Sequence, residues 1–158
     1  MTKPDPFASR MLVHVDHELS EFLRVARLIQ SGAYAGSEVD APLREAFASH
    51  FRKLSEFFGV RRIFGTYKDA KAVHYVPTYL ARNSKPLQLR MHDADKLQAH
   101  LSDGRKKLES KRRSWGSQKD SKLFLAKIRR FVKRAGQRGY DLKSTRLELG
   151  NAHWLSGS

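Results

Sequence analysis

Leu12, Val15, Leu19, Phe22, Ala26 and Ile29 recur at alternating steps of three and four. That spacing lines apolar side chains along one stripe of a helix. Ser9 serves as the expected N-cap and Ser31-Gly32 as the end, giving a first helix to about Gln30. The stretch SGAYAGSEVDAP then reads as a loop short enough for antiparallel packing of its neighbours. In a second helix Leu43, Phe47, His50, Leu54 and Phe57 share a stripe, so a histidine stands where a core aliphatic residue is expected. Asp40 is the expected cap of this helix, Pro42 falls in its first turn and Gly59 ends it.

Residues 59–86 lack a steady period, and Pro77 and Pro86 interrupt any long element. They hold one or two helical turns or an extended piece around AVHYVP. The aromatic residues Phe64, Tyr67, Tyr75 and Tyr79 are read as a lid on the core, with base stacking beside Arg61, Arg62, Lys68, Lys71 and Arg82 as the alternative. A third long helix reads from about Leu87 to Ser110, with Ala94, Leu97, Leu101, Gly104 and Leu108 inward. After the charged break KRRSWGSQKD, a fourth runs from about Ser117 to Ala135 with Phe124, Ile128, Phe131 and Ala135 inward. In the last stretch RLELG reads as a short strand-like arm, with Trp154 as an anchor. The pattern predicts an all-α fold: an up-and-down bundle of four long helices with short extra helical turns and a C-terminal arm. Its parts are a bundle core over 8–110, a basic segment over 105–138 and the arm over 139–158, within one domain over 1–158.

Charge changes this picture more than composition does. A chain of 158 residues with 40% hydrophobic content suits one soluble domain. It has no membrane-length apolar run, no apolar signal core in MTKPDPFASR and no cysteine, which fits a cytoplasmic setting. The net charge of +15 is unevenly spread. From Arg105 to Arg138 there are 14 Lys/Arg against Glu109 and Asp120, a net of +12, whereas residues 1–104 sum to +3. Such a segment attracts a polyanion, and its candidate contacts are Lys106, Lys107, Lys111, Arg112, Arg113, Lys122, Lys127, Arg129, Arg130, Lys133 and Arg134. A solvated basic surface without a specific partner is the plain alternative, and an acidic protein partner is another.

The chain has no phosphate loop, dinucleotide fingerprint, nucleophile elbow or zinc-protease helix. Asp93 and Asp95 are too close in sequence for a paired-acid hydrolase, and Asp103 falls on a basic helix. His14, His17 and Glu18 are read as wet-face side chains rather than metal ligands; no metal or other cofactor is expected. Arg44 and His50 remain. A metal-free ribonuclease needs a base for the 2′-hydroxyl proton, which histidine supplies near neutral pH, and a cation for the phosphate, which arginine supplies. Six helical positions advance about 600°, which leaves the two side chains about 120° apart and about 9 Å apart along the axis. Only a helix end or a homodimer axis would let them share a phosphate.

Arg44-x5-His50 resembles the Arg-x4-6-His pattern of HEPN domains, helical bundles found in RNA-cutting toxins and antiphage systems. Glu45 supplies the polar residue that often follows the arginine, although here the motif lies in the second long helix rather than late in the domain. SHFRKLSEFF and DKLQAHLSDGR, about forty residues apart, also resemble a family of small uncharacterised bacterial HEPN-like proteins with HxRxLxEFF and KxxAHLTxxR-like helices. The resemblance covers roughly residues 40–105 and points to His50, Arg52, Glu56, Phe57, Lys96, His100 and Arg105. It implies an RNA-associated protein, RNA being favoured over DNA, and a metal-independent endoribonuclease as its activity. His50 or His100 would then be the base, and Arg44, Arg52 or Arg105 the phosphate ligands. The same polar cluster read without chemistry is a buried network that sets helix register.

Overall fold

The computed structural model describes residues 5–59, 71–79, 85–99 and 115–155, and every regular element among them is helical. In chain order these are α1 (Pro6–Gln30), α2 (Asp40–Phe57), the single turn α3 (Ala72–Tyr75), α4 (Lys85–Ala99), α5 (Gln118–Gln137) and α6 (Lys143–Gly150), then a 3-10 turn, Ala152–Leu155.

The first helix starts earlier than its apolar stripe suggests. Asp5, not Ser9, is the N-cap: its carboxylate accepts from the Phe7 N–H at 2.8 Å, and Pro6 takes the first helical position, where no N–H is needed. In α2, Asp40 lies inside the first turn rather than at the cap; Val39 holds that place without a side-chain bond. Gly59, at φ +70°, ends α2 in the left-handed conformation that glycine adopts without strain.

The core runs through α1, α2 and α5. Val15, Leu19, Phe22, Leu23 and Ala26 of α1 are buried, as are Phe47, Phe51, Leu54 and Phe57 of α2. The stripe of α2 is displaced from the expected one. Phe51 is fully buried, and His50, about 100° from it around the axis, sits at the edge of the buried face. The pairs Phe22–Phe47 and Glu18–His50 show that α1 and α2 run in opposite directions. Phe124, Ile128, Phe131 and Ala135 of α5 are completely buried, as their spacing predicts. Phe51 meets Phe124 edge-on at 4.8 Å between ring centres, and Phe57 meets Phe131 at 5.1 Å. Such pairs add about 0.5–1.5 kcal/mol to what burial contributes. Tyr75 and Tyr79 are buried against Phe131 and act as core rather than stacking surfaces, whereas Phe64 and Tyr67 lie outside the described residues. Leu87 and Ala94 of α4 are buried, and the expected continuation through Leu101, Gly104 and Leu108 lies outside the described residues.

RLELG is not a strand-like arm but the latter part of α6. In a strand Leu147 and Leu149 would share a face; here Leu147 is 67% exposed while Leu149 packs on the core, as a helix requires. The helix lacks its own cap, because Leu142 precedes it. Asp16 of α1 supplies the missing acceptor. Its carboxylate takes the N–H groups of Ser144 at 2.9 Å and Thr145 at 2.8 Å, and the Thr145 hydroxyl at 2.6 Å. Burial raises the Asp16 carboxyl, but these bonds outweigh it and hold the group below its ordinary value. Asp5 makes a second long-range tie, its N–H donating to the Tyr140 hydroxyl at 2.9 Å. Among the described residues no helix is long and apolar enough to cross a membrane.

Candidate nucleic-acid interface

The sequence of α5 separates sharply into two faces. Its apolar residues recur at three and four and fill the core; the charged residues exposed on the rest of its circumference are all cations. Ser117 and Asp120 begin it with reciprocal bonds, the Asp120 N–H to the Ser117 hydroxyl at 3.2 Å and the Ser117 N–H to the Asp120 carboxylate at 3.3 Å. Lys119, Lys122, Arg129, Arg130, Lys133 and Arg134 are all exposed, and none of the six makes an ion pair among the described residues. At about 1.5 Å per residue they extend along a helix about 30 Å long. Lys127 is half-buried beside them; burial, and then the Arg130 charge, hold its ammonium below the ordinary value. Burial pushes the Tyr79 phenol up to about 12 against the opposing pull of Arg130 and Arg134.

The one acid of α5 does not offset this charge, because it is spent internally. Asp120 is buried, and Arg90 of α4 grips it with two bonds, Nε at 2.8 Å and Nη2 at 3.0 Å. The Arg90 guanidinium also lies 3.7 Å from the centre of the Trp115 ring, a cation–π contact on a ring that is itself buried against Phe51. The turn ahead of α5 is held from two further sides. Arg44 donates to the Trp115 carbonyl at 2.6 Å, and Gln30 donates to the Gly116 carbonyl. Gly116 has φ +82°, and a Cβ there would stand 2.5 Å from Ile29 Cδ1. The sequence predicts KRRSWGSQKD to be a charged break. Its closing residues are instead a fixed joint between α1, α2, α4 and α5, legible only as the Ser-x-x-Asp box.

The Arg/His candidates are distributed as follows. Arg44 donates through Nε to Asp40 at 3.0 Å and so ties the first turn of α2 to the turn before α5. His50 reaches the other way, its Nδ1–H bonding Glu18 of α1 at 2.8 Å, while Lys53 bonds the second oxygen of Glu18 at 2.8 Å. Arg44 and His50 therefore engage separate partners on separate elements. Arg52 pairs with Glu56 one turn on at 3.6 Å, and Phe57 is core. Glu18, expected on the wet face, instead lies on the α1–α2 seam. Burial raises its carboxyl, and the bonds from Lys53 and His50 more than reverse this, leaving it below the ordinary value. Lys96 falls in α4 with its side chain outside the described residues, and His100, Arg105, Lys106, Lys107, Lys111, Arg112 and Arg113 lie outside them altogether.

A groove of about 580 Å³ separates α1 from α6. Its acids are engaged: Asp16 in the cap, Glu21 with Arg24, Asp141 with Arg146, and Glu148 with Arg27. It offers no unbalanced charge to set against that of α5. No family model, curated protein or solved structure matches the chain.

Proposed function

We propose that this chain binds nucleic acid, through its phosphate backbone, by the outward face of α5. The observation that carries the reading is the charge on that face: six exposed cations, with the helix's only carboxylate buried under Arg90. Phosphates contacted by such a row release condensed counterions, so binding depends steeply on salt. We read the scaffold as the four-long-helix up-and-down bundle anticipated from the apolar pattern, and RNA, which the HEPN resemblance favours, as the first ligand to try. Fluorescence anisotropy with labelled RNA and DNA between low and physiological salt tests this. Tight binding that weakens with salt is expected, and reversing Arg129, Arg130, Lys133 and Arg134 to Glu should abolish it. Binding unchanged by the reversal sinks α5 as the contact surface.

One observation favours a second reading, that of a metal-independent endoribonuclease in a toxin or defence system. A histidine whose Nδ1–H is held by a carboxylate presents Nε2 as the basic nitrogen, and the Glu18–His50 bond is of this kind. RNA incubated in chelator with the protein, its His50→Ala variant and its His100→Ala variant separates the readings. Cleavage by the wild type that either substitution removes supports the enzyme; no cleavage leaves the binding function alone.

A further inference from the structure

We propose that the ligand of the α5 face is a double helix, and that α5 lies across a groove with its two cation clusters on opposite strands. This deepens the nucleic-acid reading above and rests on it. The six exposed cations are not evenly spaced. Lys119 and Lys122 form one group near the start of α5, and Arg129, Arg130, Lys133 and Arg134 form another near its end. The outward residue between them is Ala126, with Lys127 half-buried to one side. The centres of the two groups are eleven residues apart, about 16 Å along the axis. The open major groove of B-form DNA is about 12 Å wide between its two phosphate backbones. Lysine and arginine arms standing at the ends of α5 reach both lips of such an opening, while the small Ala126 faces the space between them. In A-form RNA the corresponding wide opening is the shallow minor groove.

What the face lacks points the same way. Proteins that hold single strands stack bases on aromatic side chains. The aromatic residues of α5, Phe124 and Phe131, are fully buried, and Tyr34, in the loop after α1, is the sole exposed Phe, Tyr or Trp among the described residues. An acidic protein partner would need apolar anchors at the centre of the contact, and the outward face of α5 has only Ala126 there. A membrane that took α5 as an amphipathic anchor would need its apolar face free to insert, and that face is the core of the protein.

The test uses the full chain and anisotropy with 20-base-pair DNA and RNA duplexes, each of their single strands, and polyglutamate. At least one duplex should bind about tenfold or more tightly than its strands and than polyglutamate. Replacing Lys119 and Lys122 together by Gln should cost about tenfold on that duplex and lower the salt slope by about 2, near 0.9 for each phosphate no longer neutralised. Both positions are exposed, and unchanged helical circular dichroism confirms the fold of the variant. Single strands binding as tightly as duplex, or duplex affinity unmoved by the Lys119 and Lys122 change, overturns the bridging geometry while the nucleic-acid reading stands. Polyglutamate binding as tightly as any nucleic acid, or no nucleic acid binding at low salt, overturns both.

Discussion

Truncating Phe51 to Ala should destabilise the protein by about 3–5 kcal/mol, because the ring is fully buried among Phe47, Trp115 and Phe124 and nothing can close the void. His50→Ala should cost far less, on the order of 1 kcal/mol, since the imidazole lies at the edge of the core and gives up one bond to Glu18. Urea denaturation of the two variants measures the contrast, and equal losses would return His50 to the core. Asp16 matters in a different way. Asp16→Ala removes the cap of α6 and should cost about 1–2 kcal/mol in the same assay. Because the folded protein holds this carboxyl below its ordinary value of 3.8, its contribution is present above that pH and is lost as pH falls through the folded value. Wild type should therefore lose stability below about pH 4 more steeply than the alanine variant. Neither residue is legible from local pattern. His50 fits the apolar stripe as well as Phe51 does until the partner helix selects between them, and the groups Asp16 caps lie 128 and 129 positions along the chain.

At the level of elements, the joint before α5 combines a buried ion pair, a stacked guanidinium and a glycine in the left-handed region. Arg90→Gln should cost about 3 kcal/mol, since it leaves the Asp120 carboxylate buried without its cation. Thermal melting of the variant reads this, and a loss well below about 1 kcal/mol would mean that Ser117 alone satisfies Asp120. The long helices are legible because period and burial agree in them. α5 is the clearest case: its four predicted inward residues are all completely buried. Helix α6 escapes a reading of the sequence because eight residues carry little periodic signal and its stabilising cap comes from another element. The start of α1 escapes it because the regular three-and-four stripe begins only at Leu12, although Asp5-Pro6 is a sound N-terminal signal once noticed.

For the molecule as a whole, the count of charges along the chain marks where cations concentrate, but sequence cannot reveal that Asp120 is withdrawn from the surface. Nor can it separate Arg44 from His50 beyond the angular argument; their partners, the Trp115 carbonyl and Glu18, are tertiary facts. The withdrawal of Asp120 has a further effect on the free protein. Six like charges crowd one side of α5 with no ion pair among the described residues, so the folded chain stores self-repulsion that unfolding relieves. Added salt should accordingly raise the melting temperature of the unbound protein, where scattered surface ion pairs alone would lower it. The quadruple Glu reversal should erase that rise. The same shielding ions that loosen the complex would thus steady the protein left behind.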